Sequence, residues 1–338
     1  MFERNRSARD DEARRRIGIA KDPIAMLQAV AARAPMRDAI VHLRDSRDLS
    51  PIVFCYGKAA DTAARFAAAL TAFGITADDV VAIIAPSIPE MLLALAGAAS
   101  VAIAFPINHS LSAESMASQF ALSKARVLVT FGKHSAMPLH RVVAKAARLA
   151  GVGLVIEIET EYGPSDELMD CAPRLVGWSD FLERSDPSDV RPVRGDRAAF
   201  LFHTGGTTGA PKLAELSLAA AMAALHTSAV GFGWRDVDRV LQLLPFFHVG
   251  GAFSVGMGLF SSSATLVNCG LAGARDPNTI ASLWTIASRQ RASVIVLVPT
   301  SWSLIAAQAA SPVAMSSRWA LRPRTSSSAR LCSWEDNG

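Results

Sequence analysis

The feature that most constrains the fold of this chain is a series of short segments that are apolar at nearly every position. They alternate with longer segments whose apolar residues recur at helical spacing. A strand that is apolar throughout has to be covered on both faces, as in a parallel sheet with helices on either side. The pattern therefore predicts an α/β fold. The predicted strands are residues 80–85, 101–105, 127–130, 154–158, 198–202, 240–244, 265–267 and 294–298.

The helices predicted between these strands are amphipathic or alanine-rich. Residues 58–73 are an example, because their apolar residues share one face and Gly74 follows where a helix commonly ends. The polar segment 159–197 is predicted to be a surface excursion ahead of the strand at 198–202. The other predicted helices are residues 23–34, 89–99, 112–122, 138–150, 214–230, 252–260, 279–289 and 301–310.

A loop rich in glycine and threonine follows the predicted strand 198–202. Glycine lets the backbone approach a ligand closely, while hydroxyls, turned-in backbone N–H groups and the lysine charge are donors for an anion. Such a loop between a strand and a helix is suited to polyphosphate. It is not a Walker A loop, because Leu213 follows the lysine in place of Ser or Thr. The candidate phosphate-binding residues are Thr204, Gly205, Gly206, Thr207, Thr208, Gly209 and Lys212.

A second candidate segment is Pro-Phe-Phe-His-Val-Gly-Gly, residues 245–251, directly after the strand predicted at 240–244. A single histidine among apolar residues is usually a structural one. The glycine pair, Gly250 and Gly251, and the position after a strand favour a ligand-facing role for His248.

Together these two strings resemble the signatures of the adenylate-forming (AMP-dependent synthetase and ligase) superfamily. Residues 204–212 resemble its phosphate loop, and residues 245–251 resemble the aromatic-His-x-x-Gly turn that lies beside the carboxylate substrate. Residues 79–90, 104–108 and 298–300 resemble further segments of the same superfamily. The resemblance extends over about residues 17–310 and is strongest to bacterial acyl-CoA synthetases.

The resemblance implies two doubly wound, mostly parallel sheets with helices on both faces. One α/β half would lie near residues 75–230, and the other would combine 17–74 with 231–315. The implied reaction joins a fatty or other acyl acid to coenzyme A through an acyl-adenylate, using ATP and Mg²⁺. Lys212 and His248 would be the catalytic residues, and His248, Gly250 and Gly251 would bind the acid. No residue is assigned to a metal.

The sequence also departs from the family's pattern. It lacks a Tyr-Gly-x-Thr-Glu string, whose glutamate would hold magnesium, and a Thr-Gly-Asp segment for ribose. No segment matches the C-terminal lid domain. The expectation is therefore an incomplete N-terminal domain, truncated at its C-terminus and inactive as it stands. Residues 1–16 are expected to be a charged tail, and 316–338 an irregular tail that is disordered or comes from a shifted reading frame.

Two alternatives remain open at the level of sequence. In the first alternative, the chain is a non-catalytic module that binds a nucleotide or acyl-adenylate. In the second, it is an unrelated phosphotransferase or NTPase. The second alternative is weaker, because no general base and no acidic strand end stands out.

Charge and cysteine content exclude several classes of partner. The formal net charge is +4, but residues 316–338 contribute four arginines against two acids, which leaves +2 and no basic stripe for nucleic acid. The four cysteines form no C-x-x-C pair and suit a reducing compartment. No apolar stretch reaches the ~20 residues of a membrane span. The chain is thus expected to be cytoplasmic, with a small carboxylic acid as partner; its oligomeric state is left open.

Overall fold

The computed structural model describes residues 20–190, 197–204, 212–309 and 330–333. Their strands form one six-stranded and one seven-stranded sheet, here called sheet 1 and sheet 2. The strands are β1 (Asp38–Leu43), β2 (Ile52–Cys55), β3 (Val80–Ile84), β4 (Ile103–Pro106), β5 (Ala125–Phe131), β6 (Leu154–Ile158), β7 (Leu175–Gly177), β8 (Ala198–Thr204), β9 (Lys212–Ser217), β10 (Arg239–Gln242), β11 (Thr265–Cys269), β12 (Val294–Leu297) and β13 (Arg330–Ser333).

Both sheets are parallel except at one edge pair each. Sheet 1 has the order β13-β12-β10-β11-β1-β2, and only β1 and β2 are antiparallel. Sheet 2 has the order β7-β6-β5-β3-β4-β8-β9, and only β8 and β9 are antiparallel. The predicted α/β fold with two mostly parallel sheets is therefore confirmed.

Helices connect the parallel strands, as a parallel pair requires. Several begin at a capping side chain that the sequence supplies: Ser112 accepts a hydrogen bond from the Ser115 N–H, and Ser217 from the Ala220 N–H. The helices are α1 (Pro23–Ala31), α2 (Tyr56–Ala72), α3 (Pro89–Val101), α4 (Ala113–Ser123), α5 (Leu139–Ala150), α6 (Asp166–Met169), α7 (Trp178–Glu183), α8 (Leu218–Phe232), α9 (Gly258–Ser261), α10 (Pro277–Ala281), α11 (Leu283–Arg289) and α12 (Pro299–Ala309).

Alternate residues of sheet 1 face two different hydrophobic clusters. Val240 and Val294 belong to a large cluster that also contains the buried strands of sheet 2. Their neighbours Leu241 and Ile295 point to the opposite face, where they pack with Ile286 and other residues of the helices between β11 and β13. Both faces of sheet 1 are thus covered, which explains why its strands are apolar without alternation.

The structure corrects the prediction around the glycine loop. The helix expected from residue 214 begins only at Leu218, because β9 occupies Lys212–Ser217 and pairs with β8. Its alanine and leucine content favoured a helix, yet the adjacent edge of β8 provides backbone partners for a strand.

Other corrections concern edge strands and irregular helices. Three further strands that were not predicted also pair in the sheets: β1 inside sheet 1, β2 at its edge, and β7 at the edge of sheet 2, in the segment expected to be a surface excursion. Residues 330–333 form β13 beside β12, within the tail expected to be irregular. The helix predicted over 279–289 is divided at Ser282, and Val249–Met257 is a π-helix. None of the helices in the described residues combines the length and hydropathy needed to cross a bilayer.

Candidate functional site

The carboxyl ends of the central strands of both sheets face one another at Ser87. Ser87 follows β3 of sheet 2, and its hydroxyl oxygen accepts a hydrogen bond of 3.1 Å from the Phe246 N–H, beyond the end of β10 in sheet 1. The Asn268 side chain, on β11, donates to the Ser87 carbonyl. In parallel α/β sheets ligands bind at the carboxyl ends of strands, so the junction of the two sheets is where a site is expected.

The antiparallel strands β8 and β9, which flank the glycine loop in the sequence, reach this junction at Thr204 and Lys212. Thr204 at the end of β8 is paired with Lys212 at the start of β9. The Lys212 side chain is exposed. Gly205, Gly206, Thr207, Thr208 and Gly209, all predicted to bind phosphate, lie outside the described residues. The Thr204 backbone and Lys212 are the parts of the predicted phosphate site whose position the structure gives.

The second predicted segment lies next to the base of the loop. His248 is exposed at the start of the π-helix Val249–Met257, and its backbone N–H donates to the Pro245 carbonyl at 3.2 Å. Its ring centroid is 6.4 Å from that of His203, the residue before Thr204 on β8. The two segments that the sequence singled out are therefore brought together. A π-helix is rare and is frequent at functional sites.

A buried glutamine, not predicted from the sequence, braces the turn that carries His248. Gln242 is fully buried; its Nε2 donates to the Gly251 carbonyl at 3.2 Å and its Oε1 accepts from the Leu244 N–H. A buried amide with both ends satisfied specifies one conformation of the backbone around it. The available signal was a polar residue inside an otherwise apolar strand, and the same signal marks Asn268 on β11.

The glycine pair has two different environments. A Cβ on Gly251 would lie 2.2 Å from the Pro245 carbonyl oxygen, whereas a Cβ on Gly250 would lie 3.9 Å from the nearest heavy atom, Cδ1 of Leu244. Gly251 is therefore required because the turn packs closely against its own backbone. From the sequence, this glycine was instead expected to leave space for the substrate. Gly250 has the room that the prediction assumed.

A cavity of about 400 Å³ opens beside His248, above the carboxyl ends of β10, β11 and β12. His248, Gly250 and Gly251 line it; Thr204 and Lys212 do not. Its walls are mostly apolar, with a few polar groups, as is usual for small-molecule sites. The other lining residues are Leu243, Leu244, Pro245, Val249, Ala272, Ala274, Arg275, Val298, Thr300, Ser301 and Leu304.

The electrostatic environment of the cavity is set by Arg275. Its guanidinium lies 5.9 Å from the ring centroid of Phe247, and that ring makes an edge contact with His109 at 5.1 Å. Burial lowers the pKa of His109, and the positive charge of Arg275 acts in the same direction. His109 therefore stays neutral near pH 7. In the described part of the chain, no group of three His, Cys, Asp or Glu residues is arranged to hold a metal ion.

The fold and the site define an α/β protein with two mostly parallel sheets, whose strand ends enclose a small, largely apolar cavity near the end of β8. A family model described as "AMP-binding enzyme" matches residues 27–333. The chain belongs to this family.

Relatives and solved structures agree with this assignment. Marinolic acid–CoA ligase of Pseudoalteromonas sp. (strain SANK 73390) is 27% identical over 244 residues, which cover 70% of this chain and 36% of that protein. Indoleacetate–CoA ligase of Aromatoleum aromaticum is 32% identical over 228 residues, 65% of this chain and 40% of that protein. The chain thus spans less than half the length of these relatives.

The fold itself is matched by the N-terminal domain of FACL13 from Mycobacterium tuberculosis. The TM-score is 0.65 at 23% identity, over 87% of this chain and 66% of that structure. The membership predicted from the two sequence signatures is confirmed, while the roles of individual residues stay predictions.

Proposed function

We propose that this chain carries the acid- and phosphate-binding part of an enzyme that joins a carboxylic acid, a fatty or other acyl acid, to coenzyme A at the expense of ATP. The observation that carries the proposal is the contact between the two signatures. His203, at the base of the glycine loop, lies 6.4 Å from His248, and His248 borders the cavity. A triphosphate held at the loop and an acid held in the cavity would meet at this point.

In the first step, a carboxylate oxygen of the acid attacks the α-phosphorus of ATP, and the bond from that phosphorus to the bridging oxygen of the β-phosphate breaks. Pyrophosphate leaves with the bonding electron pair. The task of the protein is to stabilise this separating negative charge. The Lys212 ammonium and the donors of residues 204–209 are assigned to the phosphates, and His248 orients the carboxylate.

In the second step, the coenzyme A thiol attacks the acyl carbon, AMP leaves, and the thiol proton is lost. Magnesium enters as part of the substrate Mg·ATP; within the described residues, no three His, Cys, Asp or Glu side chains are grouped to hold a metal ion. The wall residues near His248 are apolar and reduce competition from water at the acyl group.

The chain as it stands is expected to show no exchange, so the test is exchange of labelled pyrophosphate into ATP, over a panel of fatty and aromatic acids, by a version extended to the full length of its relatives. We expect Lys212→Ala to lower the exchange rate about 100-fold, the scale seen when one charge-stabilising donor is lost. Lys21→Ala is the matched control, an exposed lysine ahead of α1, and should leave the rate unchanged.

The outcomes separate the candidate functions. ATP binding that depends on Lys212 without any exchange would favour the non-catalytic binding module. Exchange that Lys212→Ala does not reduce would contradict the role of the loop, and the absence of both binding and exchange would refute the proposed function.

A further inference from the structure

One charged side chain lines the cavity beside His248. Among the described lining residues, Arg275 is the only Lys, Arg, Asp or Glu; most of the others are apolar. Arg275 is exposed to solvent as well as lining the cavity, so what it offers an anion there is a fixed fork of N–H donors together with a positive charge.

Local structure holds Arg275 in place. It ends the short 3₁₀ turn Gly273–Arg275, and Gly273 has a positive φ of 54° and packs against the Leu243 carbonyl, where a Cβ would lie only 2.9 Å away. The Arg275 Nη1 donates to the Ser110 hydroxyl at 2.7 Å, across the junction from sheet 2. The guanidinium therefore keeps most of its N–H groups for another partner.

No carboxylate in the described residues neutralises Arg275. The neighbouring Asp276 is engaged elsewhere: its Oδ1 accepts from the Asn278 N–H at 3.0 Å, and its Oδ2 accepts from the Thr279 hydroxyl at 2.8 Å. Arg275 forms no ion pair within the described part of the chain. Its charge is thus available to a ligand in the cavity.

The order of strands separates Arg275 from His248. The turn that carries His248 follows β10, whereas Arg275 follows β11, the neighbour of β10 on one side. On the other side of β10, the segment after β12 supplies uncharged residues, Val298, Thr300, Ser301 and Leu304. One wall of the cavity is therefore cationic and the opposite wall carries no charge.

We propose that the acid bound in this cavity carries a second anionic group, and that Arg275 binds it. This inference rests on the proposed function, which places the reacting carboxylate beside His248. The substrate class would be dicarboxylic acids or acyl acids with a distal carboxylate, because a guanidinium matches a carboxylate in both charge and hydrogen-bonding geometry.

The test is calorimetric titration of this chain, without nucleotide, with suberate and with octanoate, which have the same length and differ in the distal carboxylate. We expect the unmodified chain to bind suberate more tightly. Arg275→Gln should weaken suberate binding about tenfold and change octanoate binding less than twofold, reversing the preference. Arg289→Gln, an exposed arginine on α11 outside the cavity, is the control and should change neither.

Three results would overturn the inference. They are tighter binding of octanoate by the unmodified chain, equal weakening of both acids by Arg275→Gln, and no measurable binding of suberate. Equal weakening would place Arg275 on the reacting carboxylate instead. The comparison of suberate with octanoate in the unmodified chain needs no variant, so it tests the inference even if Arg275→Gln does not fold. Pyrophosphate exchange is measured separately: its absence with every acid would refute the proposed function and leave the binding preference standing.

Discussion

At the scale of single residues, Gly250 and Gly251 show how adjacent identical residues acquire different roles. Both line the cavity at the start of the π-helix. Gly251, however, lies against the backbone of Pro245, and Gly250 against the flexible end of Leu244. Backbone cannot move aside as a side chain does, so only one of the two positions demands glycine.

The prediction for this pair is a difference in stability. We expect Gly251→Ala to lower the free energy of unfolding by about 2–4 kcal/mol, because its Cβ overlaps the Pro245 carbonyl. Gly250→Ala should change the free energy by less than about 1 kcal/mol, since its Cβ meets ordinary contact distances. Urea unfolding of the two variants measures this, and equal losses would contradict the packing described for Gly251.

At the scale of elements, the buried carboxyl of Glu157 links β6 to the start of α6. It is 3% exposed, and its Oε1 accepts a hydrogen bond of 3.1 Å from the Ser165 N–H, just before α6. Burial raises the pKa of Glu157 to about 7. The native state therefore holds a proton on this group more tightly than the unfolded chain, in which the pKa is near 4.5.

The consequence is a stability that falls as the pH rises. The contribution of Glu157 is fully present below about pH 4.5 and is lost as the pH rises through 7, a change of about 3 kcal/mol. Glu157→Gln should flatten this part of the profile, because a glutamine does not titrate. Unfolding by urea between pH 5 and 8 measures the slope.

Glu183→Gln, at an exposed position at the end of α7, is the matched control for this experiment. It should keep the slope of the unmodified chain. A Glu157→Gln profile as steep as that of the unmodified chain would show that another group is responsible.

At the scale of the whole molecule, the two sheets share one hydrophobic cluster. Val240 and Val294 of sheet 1 belong to the same set of buried residues as Val81 and Val129 of sheet 2. Ser87 adds hydrogen bonds between the sheets at their carboxyl ends. A core that is continuous across both sheets favours a single cooperative transition.

We therefore expect the unfolding curves from far-ultraviolet circular dichroism and from tryptophan fluorescence to coincide. Ile295→Ala removes buried volume on the face of sheet 1 turned away from sheet 2, and should lower the free energy of unfolding by about 2–4 kcal/mol. Both probes should shift together by the same amount. Two separate transitions in this variant would show that the sheets unfold independently.

The sequence predicted the buried strands and the helices between them well, because their signal is local. Each central strand, such as Val80–Ile84, is covered on both faces and is therefore apolar at every position. The end of α2 was marked by Gly74, which has a positive φ of 74°. Edge strands such as β9 were missed because they lack this signal: Lys212, Ala214 and Glu215 are exposed, and the partner that makes them a strand is β8. The interior strand β1 was missed although it is buried.

The candidate site was likewise predictable from the sequence only in part. The two signatures, with Lys212 and His248, were apparent as local strings of glycine, threonine, histidine and lysine, and their chemistry depends on residue type alone. Their contact through His203 and the environment of the cavity were decided by the tertiary structure. Arg275 comes from a different strand end than His248, and Ser87 from a different sheet. Hydrophobic burial of apolar faces sets how the strands assemble, and only that assembly brings polar residues distant in sequence to one cavity.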